Sequence, residues 1–173
     1  MPIFTPDRDH ERDFRDALGR FATGVTVVTT QTAAGPIAIT ANSFAAVSLN
    51  PPLVLWSPAR MSSRFDAFVA AERFAIHVLA AGQNDVARHF TKQGTDFTGV
   101  PLTESDTGIP LIEGCLARFE CRQHAVHEGG DHVIIVGEVE RAVRIGDDHE
   151  VVPRAVAFGE RDGLRHAHQS RRA

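Results

Sequence analysis

Seven apolar or alternating runs, separated by segments that contain Gly, Pro, Asn or Asp, constrain this chain more than any other feature. They cover residues 25–30, 37–41, 45–49, 53–57, 74–79, 111–124 and 132–145. Val25-Thr26-Val27-Val28-Thr29-Thr30 is β-branched throughout, which favours a pleated, packed strand over a helix. Residues 31–35 predict a turn into the second run, making a hairpin. Asn50-Pro51-Pro52 forces extended backbone ahead of the fourth run. Glu128-Gly129-Gly130-Asp131 separates the two longest runs as a turn. The stretch 111–124 alternates visibly from Leu116 to Arg122.

Helical periodicity is sparse. From about Asp9 to Phe21, Phe14, Leu18 and Phe21 recur at i, i+4 and i+7 with charged residues opposite, predicting an amphipathic helix. Ser62 or Ser63 predicts the N-cap of a helix to about Ala71, with Asp66 in capping-box position to Ser63 and Phe65, Phe68 and Val69 as its apolar face. Residues 84–90 predict a short helix with Val86, Ala87 and Phe90 inward. Residues 91–110 are rich in Gly, Thr, Asp and Pro and predict a long loop. Strands not regularly interleaved with long helices predict a mainly β fold, an antiparallel barrel with two or three flanking helices. They argue against a doubly wound parallel sheet.

With 173 residues the chain fits a single domain, its core expected over about 12–164 and a frayed tail over 165–173. Eighteen basic against 22 acidic residues give a net charge of −4 with His neutral, so no basic field draws nucleic acid or an acidic membrane surface. No apolar run approaches the roughly 20 residues of a spanning helix. The first residues lack a signal-peptide core. A cytoplasmic chain is the expectation. Cys115 and Cys121, the two cysteines, lie six apart on the expected strand 111–124 and read as buried thiols in a reducing compartment.

Two stretches could carry chemistry together. Thr40-Ala41-Asn42-Ser43 closes one strand with small or polar residues, and Ser57-Pro58-Ala59-Arg60-Met61-Ser62-Ser63-Arg64 follows another. Backbone amides and the Asn42 and Ser43 side chains suit the polar edge of a heteroaromatic ring, and small neighbours let the ring approach. Ser62 and Ser63 at a helix start, with Arg60 and Arg64, suit a phosphate. Each stretch also has a plainer reading, as a strand end or a helix cap. Gly130-Asp131-His132 reads either as a glycine-assisted turn or as a histidine set at the barrel mouth against a second, redox-active ring. No GxGxxG, GxxxxGK[ST] or GxSxG motif occurs. His124-x-x-His127 beside His132 lacks metal-ligand spacing, and no metal site is expected.

These pieces, in order, resemble the short-chain flavin reductase family, the reductase components of two-component flavin-dependent monooxygenases. The resemblance runs from Phe14 through Thr30, continues at Thr40–Phe44 and Val47–Leu55, and resumes at Arg73–Leu79 and Gly130–Val139. It implies an FMN-binding type split β-barrel, a homodimer, and hydride transfer from NADH or NADPH to FMN or FAD for a partner monooxygenase. By position, Thr40, Ala41, Asn42 and Ser43 would hold the isoalloxazine and ribityl chain. Ser57, Ser62, Ser63 and Arg64 would face the phosphate, Phe90 would line the site further out, and His132 would contact the nicotinamide. The chain departs from the family at Ala38, where many relatives have glycine, and at Phe158-Gly159-Glu160-Arg161, where an Arg-Gly-x-Tyr pattern is usual. The latter departure keeps a rival reading open, a flavin-binding protein of the same fold with little NAD(P)H turnover.

Overall fold

The computed structural model describes residues 3–144 and Val151. Its framework is a seven-stranded antiparallel sheet in the order β2-β1-β5-β8-β9-β4-β3. The strands are β1 (Thr26–Thr32), β2 (Gly35–Ala41), β3 (Ala45–Leu49), β4 (Pro52–Trp56), β5 (Arg73–Val78), β8 (Ala117–Gly129) and β9 (His132–Arg144). Two short strands, β6 (Leu102–Glu104) and β7 (Pro110–Ile112), pair separately. The helices are α1 (Glu11–Leu18), α2 (Phe65–Val69) and α3 (Asn84–Lys92).

The two sheet edges, β2 and β3, are consecutive in the chain and joined by just Asn42-Ser43-Phe44. Four Cα steps from Ala41 to Ala45 reach at most about 14 Å. The sheet must therefore curl until its edges meet, giving a barrel split between β2 and β3. Register shifts at Glu120/Cys121 and Gln123/Ala125 bend the long β8–β9 hairpin, as bulges do. Gly130, at φ +76°, makes the two-residue turn at its tip.

Both faces of β1 are covered, which explains its β-branched composition. Val28 joins Trp56, Phe68, Phe74, Ile76 and Ile135 inside the barrel, while Val25 and Val27 pack outside with Leu79, Ala87, Phe90 and Ile112 beneath α3. The buried Thr26, Thr29 and Thr30 hydroxyls donate to the carbonyls of Ala41, Pro110 and Arg73 at 2.7–2.9 Å, so these three hydroxyls enter the core partnered.

Several sequence expectations shift. The first helix is shorter than 9–21, and no residue of it is buried: Phe14 and Leu18 are 44% and 53% exposed, and Phe21, beyond its end, is 76% exposed. The predicted helix from Ser62 shrinks to five residues with Arg64 at its N-cap, and no side chain caps it. The expected capping box of Ser63 and Asp66 does not form, and the Ser62 Oγ accepts the Arg64 N–H at 3.3 Å. The loop 91–110 contains β6, and the run 111–124 breaks at Gly114, which takes a left-handed φ of +72°. Cys115 consequently sits in the turn before β8, not on one strand face with Cys121; both thiols are buried and free. Residues 158–161 lie outside the described residues. Among the described residues no helix is long and apolar enough to cross a membrane.

His77 is fully buried on β5. Its Nε2 accepts the Ile112 N–H at 3.1 Å, which leaves the proton on Nδ1 to donate to the Val27 carbonyl at 3.0 Å. Burial lowers its pKa from 6.5 to about 4. Between those values the unfolded chain binds the proton and the native chain does not, so stability falls as pH drops, by up to about 1.4 kcal/mol per pH unit. Thermal melts across this range should show that slope, and His77→Gln should flatten it while lowering stability overall. An unchanged slope in the variant would place the titration elsewhere.

Candidate functional site

The strand end at 40–43 spans the split in the barrel, and the structure fastens it to the strand end at 57. The Ser43 Oγ accepts the Ser57 N–H at 2.8 Å and donates to the Ser57 carbonyl at 3.3 Å. One hydroxyl thus satisfies both backbone groups of the residue following β4. The segment after Ser57 is fastened in turn to the β8–β9 tip. Ala59 forms a bridge with His132, Val133 N–H donates to the Pro58 carbonyl at 3.2 Å, and Arg60 N–H donates to the Asp131 carbonyl at 2.9 Å. Three stretches far apart in sequence (40–43, 57–64 and 130–132) therefore meet along one rim of the split barrel.

Within this rim the side chains divide into those used by the fold and those left available. The Thr40 hydroxyl is spent on the Ala87 carbonyl of α3 at 2.7 Å, and Ala41 is 8% exposed, its carbonyl held by Thr26. Asn42 is half-buried, and its amide makes no hydrogen bond among the described residues. Ser57 and Ser62 are half-buried and Ser63 is exposed. Phe90 differs from its expected place: its ring is fully buried between His89 and Phe97, with centroids 5.0 Å from each. What it offers outward is its carbonyl oxygen.

The two arginines separate clearly. Arg60 pairs with the Glu128 carboxylate, donates from Nε to the Gly130 carbonyl at 3.1 Å and lies 5.5 Å over the Phe65 ring. Its charge locks the loop to the hairpin tip. Arg64 reaches α3 instead, donating from Nη1 to the Phe90 carbonyl at 3.0 Å and from Nη2 to the Thr91 carbonyl at 3.5 Å. No carboxylate lies within ion-pair distance of it among the described residues, and burial lowers its pKa from the ordinary arginine value. A half-buried guanidinium on uncharged partners keeps its attraction for an anion. The five-residue α2 adds little dipole, so the positive charge at this end of the rim is that of Arg64, with the Ser57, Ser62 and Ser63 hydroxyls in the same loop.

His132 is 43% exposed in its side chain, and its Nδ1 lies 2.8 Å from the Asp131 Oδ1. That bond holds the Asp131 carboxyl below its usual range, with a smaller contribution from the Arg15 charge on α1. The ring is oriented through Nδ1. A cavity of about 590 Å³ lies away from this rim between the β1–β2 turn and the end of α2. Sequence reasoning missed the Phe90 and Thr91 carbonyls as acceptors for Arg64 and the Gly94 backbone beside its side chain, since main-chain acceptors at a helix end leave no mark in the residue types.

Comparison with known proteins matches this geometry to one family. The flavin reductase like domain matches residues 18–161. The FMN reductase (NADH) SmoA of Agrobacterium fabrum is 57% identical over 146 residues, covering 84% of this chain and 84% of that protein. The flavin-dependent monooxygenase reductase subunit HsaB of Mycobacterium tuberculosis is 41% identical over 148 residues, covering 85% and 78%. Among solved structures, the Streptomyces globisporus NADH:FAD oxidoreductase SgcE6 in complex with NAD and FAD fragments is 38% identical with a TM-score of 0.82, covering 91% of this chain and 94% of that one. A family match over most of the chain, with relatives this similar and this completely covered, makes the chain a member of the flavin reductase like domain family.

Proposed function

We propose that this chain is an NAD(P)H-dependent flavin reductase that binds FMN or FAD along the rim joining 40–43, 57–64 and 132, and supplies reduced flavin to a flavin-dependent monooxygenase. The observation that carries the reading is the meeting of these three stretches through the Ser43–Ser57 and Ala59–His132 contacts. Relatives named as NADH-dependent reductases support NADH as the donor.

The residues fit a flavin. The unpartnered Asn42 amide and the Ser43 backbone suit the ring edge, and Ala41 leaves space beside it. Arg64, with Ser57, Ser62 and Ser63, suits the phosphate. Thr40 and Phe90 support these groups from behind. When bound, the flavin supplies the hydride-accepting chemistry, as its ring system does in any protein. The chain's part is placement: Asn42 and the strand end orient one ring, and His132, held by Asp131, orients the nicotinamide against it. No side chain has to move a proton at the reacting atoms, which agrees with a rim holding no buried acid–base pair among the described residues.

The exposed apolar residues of α1, with Phe21 just after it, support a homodimer, a second copy covering Phe14, Leu18 and Phe21. Two free buried thiols support a cytoplasmic setting. Sedimentation should find a dimer that Leu18→Glu converts to monomer; a monomeric wild-type protein would contradict this assembly.

Oxidation of NADH and NADPH by purified protein, with and without FMN or FAD, tests the activity itself. Flavin-dependent oxidation is the expected result, and flavin binding without oxidation would overturn the reductase reading. Asn42→Ala should weaken flavin binding roughly tenfold with little change in stability, the effect of one lost hydrogen bond to a bound ring. Ser43→Ala should also destabilise the fold by about 1 kcal/mol, because it breaks the clasp. His132→Ala should raise the KM for NADH more than that for flavin; equal effects would make His132 a turn residue.

A further inference from the structure

The guanidinium of Arg64 can lie across the end of α3 because the backbone at residue 94 is bare. A Cβ built on Gly94 would fall 2.3 Å from the Arg64 Nε and 2.8 Å from its Cδ, with the Ala38 carbonyl at 3.1 Å. No heavy atom tolerates the first two distances, so a side chain there must push the arginine away. Gly94 is itself fixed: its carbonyl accepts the Ala38 N–H at 2.7 Å, tying the loop after α3 to β2. It has no positive φ. Its requirement for glycine is the passage of the Arg64 stem.

The destination of that stem matters chemically. A helix leaves its last carbonyls without intrahelical donors. Among those of α3, His89 is satisfied by the Gln93 N–H, while Phe90 and Thr91 receive Arg64. These two bonds occupy one N–H on each Nη and leave the other donors of the fork available. The cation is thus held on neutral oxygens at the partial negative end of a helix, oriented without being neutralised.

We infer that Gly94 is a positioning residue that sets Arg64 for the phosphate of the bound flavin. The inference rests on the flavin-binding reading given above. A side chain at 94 displaces the guanidinium from the Phe90 and Thr91 carbonyls and removes its preset orientation, while leaving the contacts of the ring at Asn42 and Ser43 in place. The consequence is selective for ligands that carry a phosphate.

FMN and riboflavin share the ring and ribityl chain and differ in the phosphate, so the pair isolates the effect. Dissociation constants from flavin fluorescence should rise roughly tenfold for FMN in Gly94→Ala, the size of one charge-assisted contact, and stay unchanged for riboflavin. Arg64→Ala should show the same selectivity, and Gly94→Ala added to it should have no further effect on FMN. Equal losses for both ligands, or additive losses in the double variant, would overturn the inference while leaving flavin binding intact. If Gly94→Ala alone does not fold, the double variant, free of the obstructing side chain, should fold with the FMN-to-riboflavin ratio of Arg64→Ala; failure to fold there would also overturn it. A wild-type protein that binds neither flavin would instead bring down the flavin reading and this inference together.

Discussion

The hydrogen-bonded clasp between Ser43 and Ser57 is the interaction on which the site depends. A curled antiparallel sheet whose edge strands are consecutive must cross its own split in a few residues, and Asn42-Ser43-Phe44 makes that crossing. Edge strands expose unpaired backbone groups. Here the crossing segment satisfies the backbone of Ser57 with a single hydroxyl. The polar residues of 40–43 are therefore part of barrel closure before they are part of any site. A ring placed at the split meets backbone that the barrel already holds rigid, which is the preorganisation that hydride transfer between stacked rings requires.

Charge is distributed along the rim by the same economy. Arg60 is neutralised by Glu128 and fastens the loop 57–64 to the tip of the β8–β9 hairpin, which carries His132. Arg64, four residues on, is held by carbonyls and keeps its charge. Two arginines of one loop thus take opposite roles because one faces a carboxylate and the other faces a helix end. Asp131 plays a comparable part for His132, fixing the ring through Nδ1. The chain prepares positions and leaves the redox chemistry to what it binds.

Much of this was legible in the sequence because it rests on local pattern. The β-branched run at 25–30, the prolines before residue 53 and the glycine turn at 130 each determine their own backbone, and the strands beside them formed close to their expected limits, whereas the expected strand 111–124 divides at Gly114 and its second part runs on to Gly129. The parts that were not legible depend on tertiary partners. Whether Ser63 caps a helix depends on where the chain from Trp56 is pinned; here the Ala59–His132 bridge and the Ser62–Arg64 bond precede a helix that starts at Phe65. Phe90 has the periodicity of an inward residue and the family position of a site residue, and its burial beneath α3 decides between the two. Arg60 and Arg64 look equivalent in sequence; the Glu128 carboxylate, 68 positions away from one of them, separates them.

The most direct test of this account is a crystal structure of the protein with FMN. The account predicts the isoalloxazine against Asn42 and the Ser43 backbone, the phosphate within hydrogen-bond distance of Arg64, and the His132 ring facing the exposed flavin face. Flavin seated instead in the cavity between the β1–β2 turn and the end of α2, with the rim at 40–43 and 57–64 unchanged, would contradict it.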